Sequence, residues 1–296
     1  MGQVMEVLAT EERTVELSMP SGNQVILPTS SKGMRKVTIQ KPDTLLSENI
    51  KKDVVIGGVT GALLAPPTGP YIEYTSLDSS GRVFTAKFRG TIVPEYAFAY
   101  LAELISVDMP DNVIAIGDNG FYRCPKLQLT SLPPGITSLG DFAFSDCSKL
   151  ALTSLPSGIT SIGDQAFRDC FRLALTSLPS GITSLPTAAF QYCPKLALTA
   201  LPSGLTSIGA YAFKQGTGLA SITLPPALTT IGDFAFASCT GLETVKFTST
   251  VSSIPNGVFS GCPKLSTIYV PWSQGQVANA PWGASNATII YDYTEN

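Results

Sequence analysis

Apolar residues return at a fixed interval over most of the chain. Phe98, Phe121, Phe144, Phe167, Phe190, Phe213, Phe236 and Phe259 stand 23 residues apart. A leucine follows each of them at constant spacing: Leu104, Leu127, Leu150, Leu173, Leu196, Leu219, Leu242 and Leu265. An aliphatic residue completes the frame, from Ile116 and Leu139 through Ile162, Leu185 and Ile208 to Ile231 and Ile254. A unit of this length cannot bury its own apolar face. Stacked copies can, by laying Leu on Leu and Phe on Phe.

Within one unit, residues 150–170, the polar positions mark the elements. A short apolar strand is followed by a turn at Pro156 and Gly158, and then by a second extended piece over 160–163. The run Ala166-Phe167-x-x-Cys170 reads as a single helical turn. The residues entering that turn are Asp118, Asp141, Asp164, Thr187, Ala210, Asp233 and Asn256, and six of these seven are helix N-cap types. Capping is therefore the expected role of this column, ahead of metal binding or acid–base chemistry.

The pattern predicts an α/β repeat solenoid. About eight 23-residue units over 91–270 supply a parallel sheet. Residues 71–90 read as a β-hairpin N-cap, with alternating runs on either side of Asp78-Ser79-Ser80-Gly81. Residues 271–296 read as a C-terminal cap carrying Trp272, Trp282 and a strand-like run over 287–291. Sealing of the last rung is the expectation for the tryptophans, and a ligand-binding aromatic pair is the alternative. Residues 65–70 form a Pro/Gly linker. Residues 1–64 form a small β-rich N-terminal module, with strand-like runs within 15–27 and at 36–42, a helix over 45–52 and an apolar run over 54–61.

The elements Leu155-Pro156, Ile162-Gly163-Asp164-Gln165-Ala166-Phe167 and Cys170-x-x-Leu173, repeated in register, resemble the BspA-like (treponemal-type) leucine-rich repeat. The resemblance covers about residues 90–270. It implies a curved solenoid with parallel strands about 4.8 Å apart, in a surface, adhesive or recognition protein rather than an enzyme. Residues 36–61 resemble a small module of tail and appendage proteins from phages and prophages of gut Gram-positive bacteria. That second resemblance implies attachment to a virion tail.

Composition narrows the chemistry. Histidine is absent, which removes Ser-His-Asp and Cys-His nucleophiles, HExxH zinc sites and haem-His ligation. Charged residues make up only 14% and the net charge is −3, so no nucleic-acid partner is expected. No run of 18 apolar residues exists, so no membrane insertion is expected. Residues 1–6 carry neither the basic nor the apolar region of a cleaved signal. Either export uses no such signal, or the natural start lies upstream.

The cysteines share one register: Cys124, Cys147, Cys170, Cys193, Cys239 and Cys262, with Gly216 filling the gap and Leu101 preceding them. One register with these replacements points to a ladder of small buried thiols. Disulfides between rungs rarely find the needed dihedral, and a linear ladder does not make a tetrahedral metal site. No cofactor or metal is expected. Basic residues precede the ladder leucine at Lys126, Lys149, Arg172, Lys195 and Lys264. Such a stripe could attract an anionic polymer such as a wall teichoic acid or acidic glycan. A solvated edge, diluted by nearby Asp146 and Asp169, is the plainer reading.

The candidate binding surface lies on the strands. In the last three units alternation points Ser221, Thr223, Thr244, Lys246, Thr267 and Tyr269 outward, on the concave face. In the four preceding units the aliphatic residue stands one place earlier. Leu129, Leu152, Leu175 and Leu198 then occupy an outward position and Thr130, Thr153, Thr176 and Thr199 an inward one. Either the leucines form an exposed apolar strip that binds a partner, or a bulge buries them and turns the threonines out. Burying a leucine is worth about 1.5–3 kcal/mol, which favours the bulge.

The leading expectation is a non-enzymatic recognition protein. Its repeat surface meets a host-cell protein or a cell-surface glycan, and it is borne on a phage or prophage tail. A secreted or wall-attached bacterial adhesin is the alternative, and both place it outside the cell. A carboxylate-based glycoside hydrolase, for which Glu95 and Glu103 are the residues to test, is not expected.

Overall fold

A computed structural model describes residues 4–7, 11–15, 35–40, 71–77 and 82–294. From the first repeat onward the chain winds into a β-solenoid of about nine turns. The eight phenylalanines form a single file. Successive ring centroids lie 4.9–5.8 Å apart, with ring planes 2–26° from parallel. Trp282 falls one period after Phe259 and continues its backbone column, accepting the Phe259 N–H at its carbonyl (3.1 Å). The leucine column and the second aliphatic column are buried beside it.

The second extended piece of each unit forms a short parallel sheet in which equivalent residues pair. Ser138 pairs with Ser161, Leu139 with Ile162, Ser207 with Thr230 and Ile208 with Ile231. The next residue is glycine in most rungs, for two reasons. Its N–H donates to the preceding rung, as in Gly163 to Leu139 O at 2.9 Å. A Cβ there would also strike that rung's backbone, 2.4 Å from Asp141 N at Gly163 and 2.3 Å from Ala210 N at Gly232. Proline takes the glycine place at Pro94, Pro186 and Pro255 and has no N–H to donate; of these only Pro186 lies in the middle of the array. The sheet divides at Pro186, between Ser161–Ile162 and Ser184–Leu185.

The turn column differs from the sequence expectation, since no helix occurs among the described residues. The Phe144 segment is two tight turns, closed by Ala143 N–H to Gly140 O (3.3 Å) and Cys147 N–H to Phe144 O (3.2 Å). Their third residues, Phe142 and Asp146, have φ of 55° and 62°. The same two places are left-handed in neighbouring rungs, at Gln165 and Asp169 and at Ala188 and Tyr192. A non-glycine residue in this conformation costs roughly 1–2 kcal/mol. The compensation is intermolecular in style, rung to rung: the N–H groups of Phe142, Phe144 and Asp146 each reach a carbonyl of the next rung at 2.8 Å.

The aspartate column is corrected with it. Asp118 Oδ1 accepts the backbone N–H of Asp141 (2.8 Å), Asp141 that of Asp164 (2.7 Å), and Asp164 that of Thr187 (2.9 Å). Each carboxylate clamps the following rung rather than capping its own turn.

The six thiols are free and buried. Each also donates to the carbonyl of a ladder phenylalanine in the preceding rung, at 2.9 Å for Cys124 to Phe98 O and 3.0–3.2 Å for the others. The column therefore carries a weak polar bond as well as small size. Burial pushes the Cys124 thiol up to about 12 and moves Cys147, Cys170 and Cys193 upward too.

Ahead of the repeats, Tyr71–Leu77 pairs antiparallel with Val83–Arg89, whose other edge pairs parallel with Ser106–Asp108. Near the N-terminus, Arg35–Gln40 lies between Val4–Val7 and Glu11–Val15 in a three-stranded sheet. The helix expected over 45–52, the run over 54–61, the linker 65–70 and the turn at 78–81 lie outside the described residues, as does most of 15–27. No helix of the described residues is long and apolar enough to cross a membrane.

Candidate recognition surface

In the last units the strand edge is a true parallel sheet: Ser221–Leu224, Thr244–Phe247, Thr267–Tyr269 and Thr288–Ile290. Ile222, Leu224, Val245, Phe247 and Ile268 point inward and are buried. The six polar residues expected to face outward do so, exposed or half-buried, in two columns. Ser221, Thr244, Thr267 and Thr288 stack in one, and Thr223, Lys246, Tyr269 and Ile290 in the other. The second column gathers a cation and aromatic rings. Lys246 Nζ lies 5.8 Å from the Tyr269 ring centroid and 5.7 Å from that of Tyr293, and the two rings are 4.7 Å apart. These distances fall within the range of a cation–π contact.

Tyr293, Thr288 and the 40%-exposed Ile290 were not singled out in the sequence. The last rung hides them. Trp282 keeps the 23-residue register, but the strand that follows pairs Thr288 with Thr267, only 21 residues on. The run over 287–291 signalled a strand, without its register. The tryptophans themselves face inward. Trp272 and Trp282 pack against each other and on Phe247, with centroids 5.1–6.3 Å apart, and both are buried. They close the end of the core and present no aromatic pair to a ligand.

The four displaced leucines belong to the core, which corrects their place in the candidate surface. Leu152, Leu175 and Leu198 are at most 1% exposed, and Leu129 is half-buried against the same core. The chain bends at Thr130, Thr153, Thr176 and Thr199, and these threonines face solvent. The free energy of three buried leucines and a fourth half-buried one outweighs the loss of regular strand pairing at the bend. This stretch offers hydroxyls and no apolar strip.

The remaining acidic candidates are dispersed. Glu103 pairs with Lys126 across one rung, and Glu95 is exposed. Among the described residues no group of three or more His, Cys, Asp or Glu side chains is placed to hold a metal.

Stacked rungs with one polar, aromatic-studded edge define a repeat solenoid. The family described as the BspA type leucine rich repeat region matches six copies, over residues 83–197 and 189–280. The chain belongs to that family. No curated protein matches its sequence. Among solved structures, a leucine-rich repeat protein from Bacteroides ovatus is 20% identical, covering 74% of this chain and 75% of its own, with a TM-score of 0.39. The leucine rich repeat protein of T. pallidum is 26% identical over 65% of this chain and 77% of its own, with a TM-score of 0.39. A leucine rich cell surface protein from Faecalibacterium prausnitzii is 20% identical over 74% of this chain and 93% of its own, with a TM-score of 0.36.

Proposed function

We propose that the chain is a non-enzymatic recognition protein whose strand edge contacts a host-cell protein or a cell-surface glycan. The observation that carries this reading is the outward column Thr223, Lys246, Tyr269 and Ile290 with Tyr293 beside it. Tyrosine supplies rigid contact area with a polar tip, and the neighbouring threonine column supplies hydroxyls for hydrogen bonding. Membership of the BspA-type leucine rich repeat family supports an adhesive role for the array. The resemblance of residues 36–61 supports a berth on a phage or prophage tail, and a wall-attached or secreted adhesin is the second reading, favoured by the family alone.

The test is a whole-cell binding assay with Lys246→Ala and Tyr269→Ala. Both are expected to lose binding at an unchanged melting temperature. Binding equal to that of the parent protein overturns the reading. Mass spectrometry of purified particles, culture supernatant and cell wall separates the two settings.

A further inference from the structure

The basic column at the entry to the strand edge is not uniform. Glu103 opens it and neutralises Lys126. Then come Lys149, Arg172 and Lys195 on three consecutive rungs, all exposed. Gly218 and Gly241 follow, with no side chain to offer, before the isolated Lys264. The stacking at this place is direct: Ser148 Oγ donates to Pro125 O (3.0 Å), and Leu150, Leu173 and Leu196 next in sequence are buried in one column.

The two carboxylates nearest in sequence are committed elsewhere. Asp146 pairs with Arg123 at 3.5 Å, and Asp169 pairs with Arg168 at 3.1 Å. Among the described residues no carboxylate forms an ion pair with Lys149, Arg172 or Lys195. The dilution expected from the sequence is therefore weakened at these three rungs, because Arg123 and Arg168 offset the two carboxylates. Three rungs span about 10 Å at the spacing of parallel strands. That is about one Debye length at physiological salt, so the three cations act on a ligand together. Beside the central one, Phe171 is 48% exposed.

We infer that Lys149, Arg172 and Lys195, with Phe171, form a docking strip for an acidic glycan lying along the solenoid axis. A polyuronate strand offers one carboxylate per sugar. Arg172 presents a fork that fits a carboxylate, the two lysines act as point charges, and the Phe171 ring gives a sugar face an apolar platform. A nucleic acid fits poorly. Three cations are few against the phosphate contacts such complexes make, and one ring is a meagre stacking platform. The strip deepens the recognition role by naming a ligand class. It stands on residues outside the Lys246 cluster, so the two readings fail separately.

The experiment is affinity electrophoresis and calorimetry of the full chain with polygalacturonate, with neutral dextran and single-stranded oligodeoxythymidylate as the other arms. The expected result is binding to polygalacturonate alone, weakened severalfold as salt rises from about 50 to about 200 mM. The variant K149Q/R172Q/K195Q is expected to lose about tenfold or more in affinity at unchanged melting temperature. K264Q, which changes an isolated cation of the same column, is expected to bind as the parent does. If the triple variant lacks a melting transition, the single variants R172Q and F171A carry the test, each weakening binding about threefold. Failure to bind polygalacturonate, equal binding by the folded variants, or preference for the oligonucleotide overturns the inference.

Discussion

Units of identical length and identical phenylalanine file build two different edges. From Leu150 the chain buries Leu152 and then Leu155, three residues apart. From Leu219 it buries Ile222 and then Leu224, two residues apart. The second spacing matches the alternation of a strand, and four-residue parallel strands result. The first does not, and neighbouring rungs there share single bonds such as Ala151 N–H to Leu129 O (3.1 Å) and Ala174 N–H to Leu152 O (3.0 Å). A one-place move of one leucine thus decides whether an edge becomes a sheet. It also decides what that edge shows to solvent: threonine and serine in one half, and lysine, tyrosine and isoleucine in the other.

The harshest way to break the contrast is Leu152→Asp. It removes a buried leucine and strands a charge in the core, so a loss of about 4–6 kcal/mol is expected by denaturant titration. The neighbouring Thr153→Asp, on the solvent side of the bend, is expected to change stability by less than about 0.5 kcal/mol. Similar losses for both would mean that the bend is not what buries the leucine. Phe167→Ala tests what the two halves share. Its ring lies between Phe144 and Phe190, and its removal is expected to cost about 3–5 kcal/mol.

A sharper test converts one kind of unit into the other. The single change L152S should cost about 2–3 kcal/mol. The double change L152S/T153I restores the spacing of the Ile222 unit and should recover about 1 kcal/mol or more of that loss, measured as a coupling energy. Simple additivity would show that the neighbouring rungs, rather than the unit's own spacing, fix the bend.

The thiol column gives a pH dependence. The folded state holds the protons on Cys124, Cys147, Cys170 and Cys193 to higher pH than the unfolded chain, whose thiols titrate near 9. Their contribution is complete below that point. Stability should fall as pH rises from about 9 toward 12, and Cys→Ala variants in this column should flatten the fall. The smallest expected effect is at the closed end. Trp272 is buried with its indole N–H unpaired. Trp272→Phe should therefore leave stability within about 1 kcal/mol of the parent, or raise it.

Much of this architecture was legible because stacking makes sequence position and spatial column the same thing. The phenylalanine file, the second short strands and the outward Lys246 column all follow from spacing. What escaped was where hydrogen bonds go. Asp118 and Asp141 look like N-caps because the residue type that caps a turn is also the type that can clamp the next rung. Local sequence does not tell those partners apart. The turn through Phe144 looked helical because two left-handed residues, Phe142 and Asp146, carry no glycine signature. Their conformation is maintained by carbonyls of the next rung, outside any single unit's own text. Tyr293 escaped because the final strand sits two residues short of the period.

The thiol-to-carbonyl and carboxylate-to-amide bonds recur between like positions of the adjacent rungs that carry Phe121, Phe144 and Phe167, so these rungs offer their successors the same mould. In genetic terms, an in-frame gain or loss of one copy between Leu127 and Leu173 would present no unfamiliar junction to the fold. The extent of the hydroxyl-bearing edge, and the number of cations beside it, can then drift by whole units while the tyrosine-bearing end stays as it is.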